Sequence, residues 1–240
     1  MKDKFNMSKE NNILYAKRNI VDNIYRSSRL EGIAVTFPDT QMIYDGKSVA
    51  GLSVEDIVKI NNLKHAWQFI FDSIDYPMDL LYIRQLNQEI GAGIVPNSGL
   101  LRTSDVSIGG TTWKPDIPNA ENVMEELKNI LCIPSHTERA VTILLYLMRS
   151  QLFYDGNKRV AQLAANQIMI QNGVGILSIP VEHQKTFFEK LIVFYETNDE
   201  TDIKGFLYDT SIEGTTFTNK TLDKQSDINR NMFLNHKNSR

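Results

Sequence analysis

Cysteine is nearly absent. The single thiol among 240 residues, Cys132, excludes an internal disulfide, and its place at an apolar helix end (NILCIP) predicts a buried structural side chain. Histidine is scarce too: the four, at 65, 136, 183 and 236, lack ligand spacing, which argues against a zinc site. The longest apolar run is nine residues, too short to span a bilayer, and residues 1–12 (MKDKFNMSKENN) lack the apolar stretch of a secretory leader. The expectation is a cytoplasmic protein with no membrane partner. Neither sign of charge dominates, with 26 Lys and Arg against 29 Asp and Glu. That argues against a nucleic-acid-coating surface and leaves room for a local basic site. Repeats are absent.

What is present suits one helical domain with appendages, since 42% of residues are hydrophobic and 23% charged. Residues 140–148 (AVTILLYLM) are apolar at nearly every position, as in a helix buried all round. Residues 160–170 are alanine-rich and suited to close packing. Between them lies Asp155-Gly156-Asn157-Lys158-Arg159. A polar, glycine-containing turn that opens a helix is an anion site in outline: free N–H groups and the positive helix end attract phosphate, and glycine allows close approach. Lys158 and Arg159 add charge, and Asp155 is a ligand for a hard divalent cation. The bland alternative is a helix–helix connection capped by Asn157 or Asp155.

Periodicity places the other elements. Ile13, Leu14, Ile20, Val21, Ile24, Tyr25 and Leu30 predict one amphipathic helix over 10–31, stopped by Gly32, with an irregular connection over 36–49. Ser53 caps a helix running to Ser73, and a shorter one follows Pro77. In residues 100–118, Val106 and Ile108 alternate before a Gly109-Gly110 turn, and Thr111 and Thr112 lead the return arm, which predicts a β-hairpin. Asn119 or Asn122 caps the next helix, and Ser135 or Thr137 starts the buried one. Later helices cover roughly 180–195 and 202–208. Three regions are expected: an N-terminal helix and connection over 1–50, a core over 51–210, and a polar tail over 211–240 that frays or lies extended.

The order F-x-D-G-N-K-R (Phe153, Asp155, Gly156, Asn157, Lys158, Arg159) resembles the signature of the Fic/Doc (Fido) family, H-P-F-x-D/E-G-N-G/K-R-x-x-R. The resemblance implies an all-α, mainly helical Fido fold with a small β-hairpin flap. It also implies ATP and Mg²⁺, the metal on Asp155 and the phosphates on Gly156, Asn157, Lys158, Arg159 and the final motif position. The reaction would be AMP transfer to a Ser, Thr or Tyr hydroxyl of a target protein docked along the flap, at Val106, Ile108, Gly109, Gly110, Thr111 and Thr112. Ser27, Glu31 and Gly32 resemble the inhibitory motif S/T-x-x-x-E-G/N, whose glutamate pairs in relatives with the final motif arginine. The simpler reading of Glu31 is a surface residue before a helix-ending glycine.

Three positions depart from the family pattern. Leu152 replaces proline, Gln162 replaces the final arginine, and Gln151 replaces the histidine that takes the target's proton. Glutamine cannot act as a base, and loss of a general base costs about 10² to 10⁴ in rate. His136 is no substitute, lying about 22 Å away along one helix. Three readings follow: a nucleotide-binding Fic protein of weak or lost activity, an active transferase of altered chemistry, or a non-enzymatic regulatory or interaction protein. Homo-oligomer formation is left open.

Overall fold

The buried pair that the apolar runs predict forms the centre of the molecule. Helix α7 (His136–Ser150) starts on the Ser135 cap, whose hydroxyl accepts from the Glu138 N–H, and α8 (Asn157–Gln171) returns antiparallel to it. Every residue of α8 except Lys158 and Gln171 is buried, and Ala161, Ala164 and Ala165 let the two axes approach closely. The structure, a computed structural model, describes residues 1–216; from 217 on, the tail lies outside the described residues. Around the pair pack α4 (Val54–Asp72), capped by Ser53 as expected, and α5 (Leu80–Gly91), capped by Asp79. Helices α6 (Ala120–Leu131), α9 (Gln184–Thr197) and α10 (Thr201–Thr210) complete the shell. The fold is therefore mainly α. Among the described residues no helix is long and apolar enough to cross a membrane.

Several elements differ from the reading by periodicity. The single helix expected over 10–31 is two, α1 (Lys9–Arg18) and α2 (Ile20–Leu30), broken at Asn19. The Asn19 amide donates back to the Tyr15 carbonyl at 2.8 Å, the local competition by which asparagine interrupts a helix. The connection expected to be irregular contains α3 (Phe37–Tyr44), nucleated by a reciprocal capping box between Thr36 and Asp39 with proline in the first turn. Cys132 is exposed rather than buried, because it follows Ile130, which takes the core-facing position at the end of α6.

Residues 100–118 turn at Gly109-Gly110, but no strand ladder joins the two arms. The one sheet among the described residues pairs β1 (Ile176–Leu177) antiparallel with β2 (Ile212–Glu213). Residues expected to begin the tail are thus part of the packed body, and Glu213 ties β2 to α2 through Arg26 at 2.6 Å.

Asn166 joins α8 to this sheet. Its amide donates to the Leu177 carbonyl at 2.8 Å and accepts the Leu177 N–H at 2.9 Å, with 2% of the residue exposed. Asn166→Ala should leave both groups without this partner in a place closed to water, at a cost of about 2–4 kcal/mol. Thermal denaturation should show this as a Tm lower by roughly 5–15 °C for a domain of this size, and an unchanged Tm would contradict it.

Candidate functional site

The turn between α7 and α8 is built from its buried main chain outward. Phe153, 2% exposed, anchors it in the core and contributes about 2–3 kcal/mol by burial. Its N–H donates to Asn157 Oδ1 at 2.9 Å, and its carbonyl accepts from Asn157 Nδ2 at 2.7 Å. Asn157 is committed to the turn and does not cap α8. The cap is Gly156, at φ 82°, and among the described residues no side chain caps the helix, so the leading N–H groups of α8 are left for a ligand in the cleft that Gly156, Asn157 and Lys158 line. A Cβ at Gly156 would stand 2.6 Å from Ile90 Cδ1 and 3.2 Å from Asn87 Nδ2, so another residue here would have to displace both side chains as well as adopt a left-handed backbone.

Gln151 ends α7 in the left-handed region, φ 45°. Its side chain is bonded at both ends: Nε2 donates to the Met148 carbonyl at 2.6 Å, and Oε1 accepts from Asn157 Nδ2 at 3.0 Å. Asp155 is half exposed; Oδ1 accepts from the Gly156 N–H and lies 3.1 Å from Arg159 Nη2. Asn87 donates to the Asp155 carbonyl at 2.9 Å and accepts from the Gly99 N–H at 2.8 Å.

Arg159 stands out, because its side chain is 2% exposed and its Nε and Nη1 have no hydrogen-bond partner among the described residues. Glu31 approaches from the end of α2. Its Oε2 is 3.5 Å from Arg159 Nε and its Oε1 3.6 Å from Lys158 Nζ, close enough for attraction and too far for good hydrogen bonds. Glu31 Oε1 is itself buried without a hydrogen bond. An unmet buried donor costs about 1–3 kcal/mol, so a buried guanidinium with two of them is suited to an oxyanion. A phosphate fits this set. Magnesium fits the chemistry of Asp155, a single accessible carboxylate beside a phosphate site.

Of these groups Glu31, Gln151, Asp155, Gly156, Asn157 and Lys158 line a cleft of about 340 Å³, together with Ser107, Ile108 and Gly109 from the turn opposite, while the buried Arg159 stands next to Lys158 and is not among the lining residues. A larger cleft of about 680 Å³ lies beyond Trp113 and Arg149 and shares no lining residue with it. Convergent donors, not size, mark the smaller one. Some predicted residues lie outside it. Thr111 Oγ1 and the Thr112 N–H bond Glu196 of α9, Gly110 packs on Ile192, and Val106 does not line the cleft. Gln162 turns away: its Nε2 donates to the Lys158 carbonyl at 3.2 Å, and it lines a cavity of about 10 Å³ with Ser27, whose hydroxyl has no partner. Gly32 ends α2 at φ 81° with open space around it. Phe188, Leu191, Ile192 and Tyr195, which form the wall on α9, are legible from their helical spacing only as inward-packing residues, and nothing in the spacing points to Asn87.

Residues 77–169 match the model of the Fic/DOC family. Over this segment the chain resembles the Fic/DOC family. It is similar to protein adenylyltransferase fic-1 of Caenorhabditis elegans, 26% identical over 184 residues that make up 71% of this chain and 35% of the relative. The fic-1 of Caenorhabditis briggsae is 24% identical over 184 residues, 71% of this chain and 36% of the relative. The chain thus spans about a third of the length of these curated relatives. Among solved structures, a fragment of Fic-1 from C. elegans superposes with a TM-score of 0.65 at 23% identity, covering 80% of this chain and 60% of that one. A Fic domain containing signaling protein from Bacteroides thetaiotaomicron does so with a TM-score of 0.65 at 18% identity, covering 84% and 85%. The fold is that of the Fido proteins.

Tyr154, at the variable position of the Fic motif, also lines the cleft. Its exposed hydroxyl meets Ser104 Oγ at 3.2 Å and Thr103 Oγ1 at 3.3 Å and accepts the Thr103 N–H at 3.1 Å. These hydrogen bonds, Ser104 first, pull the phenol down to about 8. A depressed phenol favours the folded state once ionised, so this contribution is complete above the unfolded value near 10 and is lost as pH falls through about 8. Ultraviolet titration of the nine tyrosines should find one ionising near pH 8, and Tyr154→Phe should remove it. Titration of every tyrosine above pH ~9.5 would show that the hydrogen bonds leave the phenol near its ordinary value.

Proposed function

We propose that this protein binds ATP with magnesium at the start of α8 and is built for AMP transfer to a hydroxyl of a target protein, with turnover weakened by Gln151. The observation that carries this is the start of α8, which has no side-chain cap and lines the cleft with Gly156, Asn157 and Lys158, and which has beside it the buried guanidinium of Arg159 with two donors unmet among the described residues. The similarity to fic-1 adenylyltransferases supports the nucleotide and the class of transfer. Arg159, Lys158 and the leading N–H groups of α8 would hold the phosphates, and Asp155 the metal, which supplies charge neutralisation on the phosphate oxygens. The target's hydroxyl oxygen would attack the α-phosphorus from the side of Ser107–Gly109, and pyrophosphate would leave. Here the chain falls short: Gln151 takes no proton, and both ends of its amide are already bonded within the turn. That same bonding favours, as a second reading, a regulatory or interaction protein in which the site only binds. An active transferase relying on the small demand of phosphoryl transfer for a base is the third.

Glu31 would act as a restraint by position. It stands against Arg159 and Lys158 themselves, so it competes with phosphate for those two cations. Calorimetric titration with ATP and ADP should detect binding, and Glu31→Gly should tighten both by roughly tenfold, the scale of one charge-assisted contact. Absence of heat at millimolar nucleotide in low salt would remove the nucleotide reading.

Restoring the base tests turnover. Histidine tolerates the left-handed conformation at position 151 better than most side chains, so Gln151→His should raise labelling of lysate proteins or of the chain itself by radiolabelled ATP by about 10² or more. Asp155→Ala should abolish that labelling. A Gln151→His protein that binds ATP normally and labels nothing would favour the interaction-protein reading.

A further inference from the structure

Residues 100–118 cannot hold their shape by strand pairing, since no ladder joins the arms, yet their turn closes one side of the cleft. What fixes them is Arg102, 1% exposed. Its N–H donates to the Leu152 carbonyl at 3.0 Å and its Nε to the Gln151 carbonyl at 2.6 Å. Nη1 reaches the Ser104 carbonyl at 2.8 Å on the outgoing arm, and Nη2 the carbonyls of Pro115, at 3.1 Å, and Asp116 on the returning arm. No carboxylate takes part in these bonds. A buried cation is expensive to desolvate, and filling space would need only an apolar side chain. The planar fork does what such a side chain cannot: it gathers four carbonyls from three separate stretches. Tyr154 adds a second fastening from the motif side, through the Thr103 N–H, and Asn87 ties the stem at Gly99 to the Asp155 carbonyl.

We propose that Arg102 is a positioning residue that clasps the flap to the motif turn, so that the surface offered to the target protein is set by the same turn that holds the nucleotide. This rests on the reading above for what the flap does. It assigns Arg102 to target placement and not to nucleotide binding, because all three of its side-chain nitrogens are already taken by main-chain carbonyls. On the outgoing arm the main chain from Asp105 to Gly110 makes no hydrogen bond to another described residue, which leaves that edge open to an incoming strand, and the clasp decides where it points.

Hydrogen exchange by mass spectrometry on the full chain, combined with ATP calorimetry, tests this. Tyr154→Phe removes one exposed hydroxyl and preserves folding; Arg102→Lys keeps the charge and loses the fork. Exchange over residues 103–118 should quicken about fivefold in the first and tenfold or more in the second, while α8 exchange and ATP affinity stay within about twofold. In the Gln151→His background, labelling of lysate proteins should fall about tenfold with ATP affinity unchanged, a split that general destabilisation would not give. Unchanged exchange over 103–118 in both variants, or quickening spread equally over α7 and α8, would overturn the proposal. Failure of the wild-type chain to bind ATP would remove the nucleotide reading and leave the exchange result to decide the clasp.

Discussion

Two helices packed together in the core, one of them buried along almost its whole length, cannot be joined by a turn that leaves its amides unpaired, and the carboxamide of Asn157 meets that constraint. It closes both main-chain groups of Phe153 and takes the Gln151 side chain as a further acceptor. The consequence reaches the site directly. The residue best suited by type to cap α8 faces backward into the turn, Gly156 holds the cap position at positive φ, and the leading N–H groups of the helix stay available. Satisfying the core and exposing an anion-binding helix end are two results of one side chain's orientation.

Charge around the turn balances without being well paired. Lys158 and Arg159 face Glu31 and Asp155, yet only Asp155 reaches hydrogen-bond distance of a cation, and the buried Arg159 retains two unmet donors. Glu31 a few tenths of an ångström closer would have satisfied Nε, and Nη1 has no carboxylate within 4 Å among the described residues. The loose arrangement is therefore poorly explained as a stabilising cluster and better explained as a site whose cations are held in reserve while Glu31 keeps them from standing uncompensated.

The parts of this structure that could be read from the chain alone are those fixed by local chemistry. Ser53, Asn119 and Ser135 cap helices where a side-chain oxygen precedes an apolar period, and the motif turn is legible because glycine, asparagine and two cations at a helix start have few other uses. Break points set by asparagine were not legible: Asn19 splits a continuous apolar period by bonding its own backbone, while Asn12 and Asn166 bond distant strands, and residue type does not distinguish these fates. The capping box that starts α3 is indistinguishable from a loop by residue type, because Pro38 and Asp39 suit both. The hairpin signal at Gly109-Gly110 gave the turn and missed the absence of a ladder, since Arg102 competes for the carbonyls of both arms. Gln162 follows the motif spacing and still faces away from the cleft, because a side chain shorter than arginine bonds the preceding turn of its own helix.

Gln151 draws these threads together. The position requires a side chain that donates toward Met148, accepts from Asn157 and sits at positive φ, and a carboxamide supplies the donor and the acceptor at once on a flexible stem. A histidine there must satisfy the turn with a ring whose two nitrogens lie on opposite edges, leaving one free to face the cleft. The same geometry that makes imidazole a poorer staple makes it a base, and glutamine reverses the exchange: the turn is better tied, and nothing at the end of α7 is left to take a proton.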